Sequence, residues 1–333
     1  MQNIRKALLS WYRTYQRKLP WRETKDPYSI WISEVMLQQT KVDTVIPYYK
    51  NFLSTFPTVA SLANAPEEQI LKAWEGLGYY RRARHLHAAA KEVTATYGGD
   101  LPRTRDELLN LKGFGPYTSA SVASIAFDEP VACVDGNVRR VISRLFAMSK
   151  NIEALAQDLL ETKDPSSFNQ AVMELGALIC TPTSPKCLIC PVQKNCQAYQ
   201  TQQTHCFPIT MAKAKPKEVF AFVFVPKHRD TYFVEQRAAN ERWANMWQFP
   251  MLEYEIENVA KAKKDFEKTY GMTSVSGSDL MNFKHQLTHR TMHVHATIQQ
   301  TPSKTSAAGE WLTIADIRKK PLSRLCQKIL ARL

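Results

Sequence analysis

No apolar run in this 333-residue chain approaches the roughly 20 residues that a bilayer-spanning helix needs, which argues against an integral membrane protein. The opening stretch MQNIRKALLSWYRTYQRKLPWR lacks a signal-peptide core with a small-residue cleavage site. Ile4, Leu8, Trp11 and Tyr15 fall at helical spacing there instead. A cytosolic compartment is therefore expected, in which thiols stay reduced and the seven cysteines need an explanation other than disulfides. Acidic residues are in deficit, 31 against 44 basic ones, for a formal charge of +13. That imbalance concerns partners rather than fold and favours polyanions, nucleic acid ahead of a membrane surface. No repeat array is evident.

The length suits two domains. Met1 to about Cys206 is mostly periodic in the helical sense, broken by loops such as APEEQ and GGDLPRT. FPITMAKAKPKE is basic, polar and proline-bearing and reads as a linker. Beyond it VFAFVFV, TYFVEQR and TMHVHATI are rich in β-branched and aromatic residues, the mark of strands, while NVAKAKKDFEKTY and PLSRLCQKILARL are amphipathic helices. The expected organisation is a mainly α domain over 1–206, a linker over 207–217 and a smaller α/β domain over 218–333.

Cys180, Cys187, Cys190 and Cys196 form C-x6-C-x2-C-x5-C, a metal centre by spacing. Zinc more often shows two C-x2-C pairs, and an iron–sulfur cluster also takes four thiolates. Spacing leaves both open. Cys133, Cys206 and Cys326 lie outside this set and read as incidental or buried thiols.

Gly113 and Gly115 in LKGFGPYTS precede a helix beginning near Tyr117, whose first amides can hold a phosphate. A plain joint between two helices would need no more. The earlier WEGLGYYRRARHL repeats the turn and follows it with Arg81, Arg82 and Arg84, which raises binding to the DNA backbone above that bland account. Two acids then contrast. Glu34 in SIWISEVMLQQT sits among apolar neighbours that favour its neutral form, unless it merely faces water on an amphipathic helix. Asp135 in VDGNVRRV stands with Asn137 at a helix start, where capping is the simple role and the charged form is favoured. Acids whose pKa values are pushed apart suit a proton donor working with an ion stabiliser.

The cysteine spacing, GFGPYTS and VDGNVRRV together resemble the iron–sulfur DNA glycosylases. LPWR, SEVMLQQT, GLGYYRRAR and the strand-rich C-terminal region narrow the resemblance to adenine DNA glycosylases of the MutY type, over nearly the whole chain and most densely to about Cys196. The resemblance implies a helix–hairpin–helix glycosylase domain, a [4Fe–4S] cluster on the four cysteines, and a Nudix-like C-terminal domain carried by WANMWQFPMLE and GEWLTIADI. It implies a monomeric base-excision-repair enzyme of the cytoplasm and bacterial nucleoid, with no membrane partner. Its substrate would be double-stranded DNA in which adenine opposes 8-oxoguanine or guanine. Glu34 would donate a proton to the departing adenine, Asp135 would stabilise the oxocarbenium-like sugar, and Tyr117 and Asn137 would support them. Trp21, Arg22, Leu37 and Val42 would line the adenine pocket, while Gln39, Thr40, Leu77 and Tyr79 would fill the base stack. For Leu37, Val42 and Leu77 a core role competes. Thr288 and His289 fall where the family reads 8-oxoguanine with Phe-Ser-His, here Leu287-Thr288-His289.

Three departures from pattern bear on activity. Tyr117 stands where strand-cleaving relatives carry a Schiff-base lysine, so strong lyase activity is not expected. The Glu-rich box of active Nudix hydrolases is missing from MLEYEIENVAKAKKDFEKTYGM, so pyrophosphatase activity is not expected. Lys112 replaces the usual hairpin proline. His285, His289, His293 and His295 lack a ligand pattern around them and are not read as a metal site. The rival from another class is a non-catalytic, redox-responsive DNA-binding protein, against which the pairing of Glu34 with Asp135 speaks.

Overall fold

The computed structural model describes residues 1–209, 215–272, 276–304 and 308–333, so residues 210–214 of the expected linker lie outside the described residues. The chain divides into two compact units, Met1–Asn64 with His85–Met211, and Ala65–Arg84 with Ala212–Leu333.

The described part of the first unit is helical. Asp26 caps the helix Pro27–Leu37, accepting from the amides of Tyr28 and Ser29, and Pro27 occupies the first turn, where its missing N–H costs nothing. The helix is buried all round, with Ile30, Trp31, Ile32, Glu34, Val35 and Met36 covered. Pro116–Phe127 packs against it. The small buried residues Ser119, Ala120, Ser121, Ala123 and Ser124 let that helix lie close to its neighbours. Pro165–Leu178 packs in turn against Gln2–Tyr15, Pro116–Phe127 and Gly136–Phe146. Val138, Val141, Ile142 and Leu145 give Gly136–Phe146 one apolar stripe, which joins Leu8, Leu159, Phe168, Val172 and Leu175 in a core. Each such side chain contributes about 1.5–3 kcal/mol by leaving water.

Among the described residues the second unit has seven strands: β1 (Lys217–His228), β2 (Thr231–Gln236), β3 (Trp247–Gln248), β4 (Met251–Tyr254), β5 (Ser276–Gln286), β6 (Arg290–Gln300) and β7 (Glu310–Leu312). The main order is β3-β2-β1-β6-β5, with β4 paired to β1 and β7 to β2. β1 and β6 run parallel, and the other pairs are antiparallel. Side chains of β1 alternate between two cores. Ala221, Val223 and Val225 pack with Phe249, Leu325 and Ile329, whereas Phe222 and Phe224 pack with Ala262 and Phe266 of the helix Val259–Tyr270. Burial on both faces explains why VFAFVFV is continuously apolar.

Residues 65–84 fall within the expected 1–206 domain by sequence and group by their contacts with the second compact unit. Lys72 Nζ donates to the carbonyls of Arg318 (2.7 Å) and Lys320 (3.2 Å). Asn245 Nδ2 donates to Glu67 Oε1 at 2.6 Å, Trp247 Nε1 to Glu68 Oε1 at 3.0 Å, and the Leu322 amide to Glu75 Oε1 at 2.9 Å. These partners are about 170–250 residues away in sequence, which no local pattern reveals.

Candidate active site

A cavity of about 790 Å³ opens within the first unit. Glu34, Tyr117, Asp135 and Asn137 all stand on its wall, together with Trp21, Arg22, Leu37, Gln39, Thr40, Val42, Gly113 and Gly115. Four separate segments therefore converge on one space. Leu37 and Val42, for which a core role competed, are half-buried at its surface.

Glu34 is 6% exposed. The Tyr117 hydroxyl donates to its Oε2 at 2.6 Å and also contacts Met173 Sδ at 3.7 Å. Burial pushes the Glu34 carboxyl above its ordinary range; hydrogen bonds from Tyr117 and Ser121 oppose the rise, the charge of Asp135 adds to it, and Arg22 pulls it down. Burial also holds the Tyr117 phenol well above its usual value, so it remains a neutral donor.

Asp135 caps the helix Gly136–Phe146. Its Oδ1 accepts from the Val138 amide at 2.7 Å and its Oδ2 from Asn137 Nδ2 at 2.8 Å. The expectation that helix-start donors move Asp135 in the direction opposite to Glu34 is not met. Burial outweighs them and raises Asp135 as well, against the Val138 amide, the Asn137 amide groups and Arg140. What distinguishes the two acids is their donors. Both oxygens of Asp135 receive N–H groups, an arrangement that favours a carboxylate, whereas Glu34 receives hydroxyls.

Asn137 is itself held from behind. Its Oδ1 accepts from Arg140 Nη2 at 2.9 Å. Gly176 lies so close that a Cβ there would stand 2.7 Å from Asn137 Cβ. Gly113 has φ +85°, and a Cβ there would meet His85 Cβ at 2.6 Å, so the hairpin turn requires glycine. The next residue, Phe114, packs its ring against Trp31 at 5.0 Å, tying the hairpin to the helix that carries Glu34.

Sequence reasoning missed Glu174. Its side chain is 1% exposed and lines the same cavity. Oε1 accepts from the Arg17 amide and Nε (both 2.9 Å) and from Arg22 Nη1 (3.1 Å). Oε2 accepts from Arg17 Nη2 (2.6 Å) and Arg22 Nη2 (3.0 Å). Burial alone would raise this carboxyl, but the two guanidiniums and the Arg17 amide hold it at about 2. A signal existed: AVMELGAL sets a lone acid in an apolar run, as the stretch around Glu34 does.

Four expected residues belong to the second unit and do not line this cavity. Leu77 is buried, and Tyr79, with φ +49°, is exposed. The Tyr79 hydroxyl lies 2.8 Å from Thr288 Oγ1. Thr288 and His289 are exposed between β5 and β6. Arg82, one of the three arginines that follow the second glycine turn, lies over the rings of Trp74 and Tyr79 and donates to the Gly78 carbonyl at 3.2 Å. Burial lowers its pKa to about 10.

Cys180, Cys187, Cys190 and Cys196 line one small cavity beside Arg144. Arg144, only 3% exposed, donates to Cys180 Sγ (3.4 Å) and to the carbonyls of Thr181 (2.7 Å), Pro182 (2.9 Å), Thr204 (2.9 Å) and Phe207 (3.0 Å). Arg140 reaches the Cys180 carbonyl at 2.7 Å. Among the described residues no three side chains are gathered tightly enough to hold a single metal ion. No described helix is long and apolar enough to cross a membrane.

Residues 32–165 match the HhH-GPD superfamily of base excision DNA repair proteins, and residues 221–332 match the NUDIX domain. The chain is similar to the adenine DNA glycosylase of Buchnera aphidicola subsp. Schizaphis graminum, 32% identical over 97% of this chain and 96% of the relative. It is also similar to that of Homo sapiens, 32% identical over 98% of this chain and 73% of the relative. Among solved structures, a thermostable thymine-DNA glycosylase superposes with a TM-score of 0.57 at 34% identity, covering 60% of this chain and 96% of that one. Endonuclease III in a non-covalent DNA complex gives 0.53 at 25%, covering 60% and 97%. With two acids on one cavity, a formal charge of +13 and likeness along nearly its whole length, this chain belongs to the adenine DNA glycosylases, base-excision-repair enzymes that cleave N-glycosyl bonds in DNA.

Proposed function

We propose that the chain removes adenine opposite 8-oxoguanine or guanine by acid-assisted hydrolysis, with Glu34 and Asp135 as the two catalytic acids. The observation that carries this reading is their presence on one cavity, with the Tyr117 hydroxyl bonded to Glu34. Adenine flips out of the duplex at a cost of a few kcal/mol and enters beside Trp21, Arg22, Leu37 and Val42. Glu34 passes its proton to N7. The bond from C1′ to N9 breaks with its electron pair on the base, which leaves as neutral adenine. A positioned acid contributes about 100- to 10,000-fold to such a step. The positive charge on the deoxyribose faces the Asp135 carboxylate. Water then adds to C1′ and gives a proton to ionised Glu34, which restores the acid. Asn137 keeps Asp135 in place. Gly113 and Gly115 let the hairpin approach the phosphate backbone.

Gln39 and Thr40 fill the vacated stack, and Leu77 and Tyr79 wedge the strand. Thr288 and His289 read 8-oxoguanine; the Tyr79–Thr288 contact supports assigning these two tasks to one compact unit. Cys180, Cys187, Cys190 and Cys196 would hold a [4Fe–4S] cluster, a reading supported by the four thiols lining one shared cavity. When bound, the cluster supplies a one-electron couple and ties the loop together; no step of base removal runs through it. The enzyme acts as a monomer.

Duplexes with adenine opposite 8-oxoguanine, guanine, cytosine and thymine, scored for alkali-sensitive sites under single turnover, test the reading. Release concentrated on the first two and lost in Glu34→Gln is the expected result. Equal release by the wild type and Glu34→Gln would remove this site from the chemistry.

A further inference from the structure

The short stretch from Pro130 to Val134 leads into Asp135 and, among the described residues, pairs with no strand. Two side-chain amides take the place of neighbouring strands. On one edge, Gln157 Oε1 accepts from the Ala132 amide and Gln157 Nε2 donates to the Pro130 carbonyl, both at 2.9 Å. On the other edge, Asn169 Oδ1 accepts from the Cys133 amide at 3.0 Å and Asn169 Nδ2 donates to the Val131 carbonyl at 2.8 Å. The same Nδ2 donates to Ser124 Oγ at 2.8 Å. The pattern follows from extended backbone geometry, in which alternate residues direct their N–H and C=O groups to opposite edges. Each amide closes a ring like one rung of a ladder.

The anchors of this grip are the catalytic helices. Asn169 belongs to Pro165–Leu178 and is 4% exposed, and Ser124 belongs to Pro116–Phe127, the helix that begins beside Tyr117. Gln157 comes from Ile152–Leu159 and is exposed. Every hydrogen-bonding atom of the Asn169 side chain is engaged, so neither its position nor its amide orientation is free. Capping at Asp135 fixes the carboxyl against its own helix, but it does not fix that helix start against the rest of the cavity.

We propose that Asn169 and Gln157 are positioning residues which, by gripping both edges of Pro130–Cys133, set the Asp135 carboxylate at the place where the sugar becomes cationic. The proposal rests on the assigned role of Asp135. Its consequence is selective: loss of either amide weakens what Asp135 does to a positive sugar more than it weakens the hold on DNA. Gln157→Ala, at an exposed position, retains the fold even where Asn169→Ala does not.

The test compares affinity for two duplexes, one with a cationic pyrrolidine in place of the deoxyribose and one with a neutral tetrahydrofuran. Single-turnover excision and thermal unfolding are measured in parallel. The wild type prefers the cationic duplex, and Asp135→Asn loses the preference. Asn169→Ala is expected to reduce it by about ten-fold, near the effect of one buried hydrogen bond, and Gln157→Ala, at an exposed position, by about three-fold, each with little change in tetrahydrofuran affinity. If Asp135→Asn keeps the preference, the role of Asp135 fails and this inference with it. If Asp135→Asn loses it while both amide variants keep it, the Asp135 assignment stands and the grip alone is overturned. Affinity for both duplexes falling together with the unfolding temperature in both amide variants overturns it too, since the amides would then be merely structural.

Discussion

Removing the charge of Glu174 should destabilise the protein in a pH-dependent way. The carboxylate accepts five hydrogen bonds from Arg17 and Arg22 and is 1% exposed. Its depression from 4.5 to about 2 corresponds to about 3 kcal/mol of folded-state preference for the charged form. Arg17 is 35% exposed, so solvent screens its share and about 2–3 kcal/mol is expected. Because the folded pKa lies below the unfolded one, the contribution is complete above about pH 4.5 and is lost as pH falls toward 2. Denaturant unfolding of wild type and Glu174→Gln should therefore differ by about 2–3 kcal/mol at neutral pH, with about 1.4 kcal/mol of the gap closed by about pH 3.5. Superimposable curves at neutral pH, or a gap constant down to about pH 3.5, would refute the reasoning.

Tyr117→Phe deletes a hydrogen bond that holds the Glu34 carboxyl down, so the fall in single-turnover rate with rising pH should move to higher pH; an unmoved or lowered limb contradicts the assigned contact. Gly113→Ala combines a positive φ with a 2.6 Å approach to His85 Cβ. It should cost about 1–3 kcal/mol of stability and weaken affinity for undamaged duplex at low salt. An Ala variant with wild-type stability and affinity would show that the turn relaxes freely.

The short-range context of the candidate residues could be read from the sequence. Glu34 stands in its own apolar helix, Asp135 caps the helix it precedes, and the four thiols lie within one loop, so residue type and spacing carry the information. Glu174 could not be paired from sequence, since Arg17 and Arg22 lie more than 150 residues earlier. Asn169 and Gln157 look like ordinary polar residues of amphipathic helices until the backbone they grip is in view. The strand β5, SGSDLMNFKHQ, has weak alternation and owes its form to its pairing with β6. Residues 65–84 continue a helical pattern and carry no composition break, although they bond to the second unit. The failed contrast in pKa has a related cause. A cap is a local feature visible in sequence, whereas depth below the surface depends on packing by remote segments.

Arg144 makes the cysteine loop more than an attachment. Its guanidinium donates to four loop carbonyls and to one cysteine sulfur. Peeling the loop away would strand a cation indoors, on the same rigid rod whose opening residue follows Asp135. Trimming that loop to make a smaller enzyme would need a new resident for the vacated corner, and a neutral side chain at 144 would have to come first.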